Sequence, residues 1–326
     1  MSLQRIAAAL AAACVLAADF ANAQVGTYPS RPIRFVVTMQ PGGGNDYLAR
    51  LLAEHMQPGL GQPVVVENKP GAGGNIGTEF VARQPADGYT ILLRTDSLVV
   101  NPNFYSKLSF DPVRDFEPIT LIAITPLVLT VNSSTPVNSA KELIALARAK
   151  PGTLTYATPG VGTTQHLASE LLKFMTGIDV VHVPYKGAAG VLAALLAGEV
   201  TTAITAVNSL LPHVRSGKLR PIAVAGAARL PQLPDVPTIA EAVPLPGYEI
   251  EMWFGVFAPA GTPRAIIERL NAEINRVVRD PQVIKERLNP IGLFAVGTTP
   301  ERFKETIKVD RVKYAKIVKD ANIRPE

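Results

Sequence analysis

Short apolar runs alternate with stretches in which apolar side chains return every three or four positions. Ile33 to Val37 is long enough for one buried strand, and Leu48, Leu51, Leu52 and Met56 then share a helical face. Val64 to Glu67 reads as a strand and is followed by a helix through Ala82. An Asp87-Gly88 turn then leads into the strand from Tyr89 to Leu93. Such alternation predicts α/β architecture, a parallel sheet with helices on both faces. Ligands on such sheets sit beyond the carboxyl ends of the strands.

Two apolar runs are too long for ordinary strands: Pro118 to Val131, broken by Pro126, and Tyr248 to Ala258. A chain that leaves one lobe and later returns would carry such crossings. Between them the pattern predicts a helix over Ser139 to Lys150 and strands at Leu154–Ala157, Val180–Val183, Thr201–Ala206 and Arg220–Ala225. A small-residue helix follows Gly187, another helix runs from Ser209 to Ser216, and Leu230 to Pro237 reads as ordered surface loop. After the return crossing come helices over Arg264–Val278 and Pro300–Lys319, with a short strand near Leu293–Val296, packing on the first lobe. The expected fold is a two-lobed, Venus-flytrap binding protein of type II, with a doubly wound sheet in each lobe. Residues 24–125 and 247–326 form lobe 1, and 126–246 form lobe 2. Two crossings make a two-segment hinge suited to closing on a ligand.

One local arrangement occurs twice. The first strand runs into Thr38-Met39-Gln40-Pro41-Gly42-Gly43-Gly44-Asn45-Asp46 and then a helix. In the second lobe a strand runs into Thr158-Pro159-Gly160-Val161-Gly162-Thr163-Thr164-Gln165-His166 and a helix. Glycines let the backbone bend and approach a ligand, and helix starts offer unpaired N–H groups that suit an anion. Alone, either loop is equally an ordinary glycine-rich turn, and neither has the lysine of a P-loop. Facing each other across a cleft, they would hold a carboxylate without an arginine. Gly42, Gly43, Gly44, Thr158, Gly160, Gly162, Thr163 and Thr164 are the expected contacts, with Thr163 or Thr164 as N-cap. The loop Gly71 to Gly74 could also fall at this edge, although tight turns explain it without a ligand.

Individual side chains carry two readings each. Asn45 either reaches into the cleft or stays on the surface. Asp46 is a first-turn acid favoured by the helix dipole, or an acceptor for a ligand amino or hydroxyl group. Arg94, beside Thr95, either grips a second carboxylate bidentately or is neutralised by Asp96. His166 pairs with Glu170 and orders the second loop, or touches the ligand. Leu167, Leu171 and Phe174 form the expected buried stripe of that helix, and Trp253 reads as core or hinge packing.

Composition narrows the possibilities. The chain has 326 residues, 47% hydrophobic and 18% charged, with net charge +5 but no dense basic cluster. That mildly favours acidic ligands and argues against nucleic acid. Arg5, the apolar run Ile6 to Ala18 and Ala21-Asn22-Ala23 make a secretory leader, residues 1–23, cleaved after Ala23. The expected location is the periplasm. Ala12-Ala13-Cys14 is also close to a lipid-attachment box. Cys14 is the only cysteine, so the mature chain would have no thiol for disulfides or catalysis. The histidines show no metal spacing, no serine sits in a G-x-S-x-G elbow, and no cofactor is expected.

Taken in order, these motifs resemble the Bug family, the TctC-like extracytoplasmic receptors of tripartite tricarboxylate transporters. The matching residues include Tyr28-Pro29, Pro41-Gly42-Gly43 with Asp46, Gly61 through Asn68 with Pro70 through Gly74, and Asp87-Gly88-Tyr89-Thr90. They continue with Gly160, Gly162, His166-Leu167-Ala168, His182 through Gly187, Leu233 through Thr238 and Ala258 through Pro263. The resemblance implies a monomer that closes on a small carboxylate (a di- or tricarboxylate, acidic amino acid or aromatic acid), held between the glycine loops by backbone groups and water. Delivery to the membrane permease subunits is implied, and catalysis is not; docking on a membrane sensor kinase is the alternative output. Arg94 stands where the family usually has glycine, and Glu199-Val200-Thr201 where it often has Gln-Val-Asp, so the ligand's identity stays open.

Overall fold

A computed structural model describes residues 28–323; the expected leader, its cleavage site and Cys14 lie outside the described residues. The strands are β1 (Ile33–Val37), β2 (Val64–Asn68), β3 (Thr90–Thr95), β4 (Phe116–Asn132), β5 (Thr155–Thr158), β6 (Val181–Pro184), β7 (Thr202–Ala206), β8 (Leu219–Val224), β9 (Glu251–Pro259) and β10 (Phe294–Ala295). The longer helices are α1 (Gly44–Leu60), α2 (Asn75–Ala82), α3 (Ala140–Ala149), α4 (Thr164–Thr176), α5 (Ala188–Ala197), α6 (Val207–Arg215), α7 (Arg264–Val278) and α8 (Pro300–Asp320).

The strands make two sheets that share β4. In lobe 1 the order is β2-β1-β3-β9-β4, with β10 also on β4; in lobe 2 it is β4-β7-β5-β6, with β8 also on β4. Each lobe keeps a parallel core, β1 with β2 and β3 and β5 with β6 and β7. The crossing strands join antiparallel, β9 to β3 and β4, and β4 to β7 and β8. The parallel cores are as expected, and the sheets are mixed because a chain that crosses and returns enters each lobe from the opposite direction. The partner exchange on β4 falls between Pro126, opposite Glu251, and Leu127, opposite Ala206.

Local chemistry explains the boundaries. Ser139 caps α3 by accepting from the Glu142 amide, and Gly61, at φ +68°, ends α1 in the left-handed conformation that glycine adopts without strain. In α4, Leu167, Leu171 and Leu172 are buried, but Phe174 is 54% exposed. The buried face runs through Ala168, Leu172 and Thr176, four residues apart, which leaves Phe174 on the opposite side.

The C-terminal helix α8 packs on lobe 1 through Phe303, whose ring centre lies 5.1 Å from Trp253 and 5.0 Å from Phe257. A Cβ on Gly255 would fall 2.2 Å from the Phe303 ring, so the bare backbone of β9 makes room for it. Trp253 is core packing, as expected, and its indole N–H donates to Asp310 at 2.7 Å. Phe303→Ala is predicted to cost about 3–5 kcal/mol of unfolding free energy. Urea denaturation checks this, and a loss below about 1 kcal/mol would show that α8 is not anchored here.

Candidate functional site

Asp46 organises the first glycine loop. Its carboxylate accepts from the Gly42 amide at 3.1 Å, from Arg50 Nε and Nη2 at 3.0 Å each, and from Asn68 Nδ2 at 3.0 Å. Burial alone would raise its pKa, but the bonds from Arg50, Gly42 and Asn68 outweigh that and hold it below 3.8. All this bonding goes into shaping the loop, with Gly42 at φ +88°. Asp46 therefore lies beneath the loop rather than in the cleft. Gly43 is the N-cap of α1, and no side chain caps that helix.

Beyond the loop lies a cavity between the lobes. Lobe 1 lines it with Gly43, Gly44, Asn45, Thr95, Ser97 and Phe254, together with Met39 and Met252. Lobe 2 contributes Pro159, Gln165, Ala188, Ala206, Asn208 and Ser209. None of these residues is charged. Several of them stand in the first turns of helices: Gly44 and Asn45 of α1, Gln165 of α4, Ala188 of α5, and Asn208 and Ser209 of α6. No side chain caps α1, α5 or α6. The cavity is therefore a neutral-walled space at which the positive ends of several helices meet. Its volume in this closed arrangement is about 30 Å³, enough for about one or two waters.

Several expected contacts stand elsewhere. Gly42, Thr158, Gly160, Gly162, Thr163 and Thr164 do not line the cavity. Gly162 faces Asn101, and Gly160 abuts Gly73. Lobe 2's loop thus closes against the Gly71–Gly74 loop, the one that needed no ligand to explain it. Thr163 is the N-cap of α4 and accepts from the His166 amide. Thr164 joins the lobes: its hydroxyl donates to Asp96 at 2.6 Å and its amide to Ser97 Oγ at 3.3 Å. Tyr314 of α8 donates to the other Asp96 oxygen at 2.9 Å. Asp96 is thus a latch between lobes. It forms no ion pair with Arg94, which is fully buried and absent from the cavity wall. Gln165, Asn208 and Ser209 escaped the sequence reading, although both of their helices follow strands and so begin at the ligand edge.

His166 orders the second loop, but not through Glu170. Its Nδ1 accepts from the Gly162 amide at 3.2 Å, and its ring stacks on His182 with centres 4.2 Å apart. His182 Nε2 and Thr158 Oγ1 share a hydrogen bond of 2.7 Å. Glu170 accepts instead from Tyr156 and, at 2.8 Å, from Lys173.

Comparison with known proteins places the chain in a family. Residues 48–323 match the model of the tripartite tricarboxylate transporter family receptor. The chain belongs to that receptor family. It is 40% identical over 97% of its length to a protein encoded in the tcbD-tcbE intergenic region of Pseudomonas sp. strain P51, covering 93% of that relative. Among solved structures, the periplasmic binding protein BugD superposes with TM-score 0.88 at 34% identity, covering 92% of this chain and all of that one. R. palustris Rpa4515, solved with adipate, superposes at 0.87 with 38% identity over 92% of this chain and 100% of its own. MatC of Rhodopseudomonas palustris, solved with malate, gives 0.86 at 30% over 89% and 100%. The receptors of this family bind substrates and are not enzymes. Among the described residues no group of three or more side chains could hold a metal ion. No described helix is long and apolar enough to cross a membrane.

The receptor's buried titratable groups give two pH responses of opposite sign. Burial, with His182 and Lys173 adding to it, pulls His166 from 6.5 to about 3; burial likewise pulls His182 to about 4. Both rings are neutral in the fold, whereas the unfolded chain takes up protons below 6.5. Their stabilisation is full above pH 6.5 and is lost as pH falls towards 4 and then 3. Asp96 is lifted by burial from 3.8 to about 8, against the bonds from Thr164 and Tyr314. The fold keeps this proton where the unfolded chain releases it, so its contribution is full below pH 3.8 and declines until pH 8. In profiles of melting temperature against pH, His182→Gln should flatten the acid limb and Asp96→Asn the decline between pH 4 and 8. A limb left unchanged by its matching substitution would refute that assignment.

Proposed function

We propose that this receptor captures a small organic carboxylate in the inter-lobe cavity and delivers it to the permease subunits of a tripartite tricarboxylate transporter. The observation that carries this reading is the convergence of uncapped helix starts on a cavity without a charged wall residue. Peptide N–H groups there lack partners, and a carboxylate supplies both acceptors and the complementary charge. Relatives solved with adipate and malate support the ligand class. The present cavity of about 30 Å³ is too small for such a molecule, so binding requires the lobes to part and to reclose less far around it. The ligand then favours the closed form by its extra affinity for it.

The test is thermal denaturation of the purified mature chain with a panel of organic acids and their neutral amides. A bound acid at about 100 times its Kd adds about 2.7 kcal/mol, a readily measured shift. The amides should give none. Gly44→Val should abolish the response, because a Cβ there would lie 2.4 Å from Asn208 Nδ2 and block closure. No shift with any acid, or equal shifts with acids and amides, would remove the carboxylate assignment.

A further inference from the structure

Among the described residues Arg94 is the one large charged side chain that is completely buried, and neither the cavity nor the latch uses it. It lies beneath the Gly71–Gly74 loop, so close that a Cβ on Gly74 would fall 1.5 Å from Nη1. Nη1 donates to Thr38 Oγ1 at 3.1 Å. Nε and Nη2 are buried and have no hydrogen-bond partner. Those two atoms form the edge with which a guanidinium grips a carboxylate through parallel bonds. No carboxylate of the described residues stands within ion-pair distance. Burial pulls this guanidinium down to about 10, which leaves it charged at neutral pH.

Its surroundings add donors. Helix α2 begins directly after Gly74 with no side-chain cap, so its positive end lies beside the guanidinium. Asn75 Nδ2 is also buried without a partner. Asp96 acts on Arg94 only through space, and a cation and a helix start held together without an ion pair are costly to bury. The wall across from them belongs to lobe 2: a Cβ on Gly73 would lie 2.1 Å from the Val161 carbonyl oxygen, and one on Gly162 would lie 2.4 Å from Asn101 Oδ1. This polar cluster therefore lies where the two lobes meet. It adjoins the cavity along the strand ends, since Thr95 and Met39, which follow Arg94 and Thr38, both line that cavity.

We propose that the free Nε–Nη2 edge of Arg94, with Asn75 and the start of α2, seats a second carboxylate, making this receptor selective for dicarboxylates. The proposal rests on the carboxylate-receptor reading and adds the class of acid. Arg94 acts as a specificity residue, and the first carboxylate stays with the helix starts of the main cavity.

Titration calorimetry on the full mature chain tests it with length-matched acids: butyrate against succinate, valerate against glutarate, hexanoate against adipate. At the best length the diacid should bind about 10- to 100-fold more tightly than its monoacid, the range expected for hydrogen bonds to a charged group. Arg94→Gln should erase that ratio while changing monoacid affinity by less than about threefold. Arg94→Lys, which keeps the charge without the two-donor edge, should recover only part of it. An unchanged ratio in Arg94→Gln, or equal losses for both classes, overturns the proposal and leaves Arg94 a structural residue. Should the variants not fold, the wild-type ratio decides, and a ratio near one at every length overturns it. Binding of monoacids without diacid preference sinks the second subsite alone; binding of no acid at all sinks the receptor reading, and the subsite with it.

Discussion

Peptide N–H groups at helix starts, left without side-chain caps, are what the proposed ligand site depends on. A lysine or arginine in the cavity would bind an anion through a mobile, strongly hydrated charge. Backbone amides fixed by their helices present weaker partial charges, but they need no reorganisation. The rest of the site serves to aim them. Strand ends set the position of each helix, Asp46 ties down the first loop from below, and the stacked histidines brace the second from behind. Polar side chains that elsewhere would meet a ligand are here used up in holding backbone.

That division of labour explains which parts were legible in the sequence. Hydrophobic periodicity located the strands and helices, the two over-long runs marked the crossings, and the repeated strand–glycine–helix arrangement pointed to the cleft. Gly43, Gly44, Asn45 and Thr95 do line the cavity. Asp46, Thr158 and His166 carry the right chemistry within their loops, but local spacing does not show on which side of the loop a side chain ends up. The rest depends on approach between distant segments. Asp96 meets Thr164 across 68 positions and Tyr314 across 218, and no window of sequence contains such a pair. Asn208 and Ser209 belong to a third strand–helix junction whose lack of glycine hid it.

Glycine placement also acquires a sharper meaning. Gly73, Gly160 and Gly162 are needed less for a bound molecule than for the meeting of two backbones. A Cβ on Gly160 would come within 3.2 Å of the Gly73 Cα, and one on Gly73 within 2.1 Å of a lobe 2 carbonyl oxygen. The lobes can shut this far because nothing projects from either loop.

Strand β4 runs for 17 residues through both sheets, roughly 55 Å at about 3.3 Å per residue. Its register shifts fall on both sides of the seam, between Pro118 and Thr120 and between Leu121 and Ala123 in lobe 1 and between Leu129 and Thr130 in lobe 2, and Pro126 withholds a ladder bond just where the neighbours change. The two halves are thus joined by a leaf spring rather than a pin. Opening the cleft would therefore flex this continuous ribbon at its unladdered seam, together with the return segment that leads into β9.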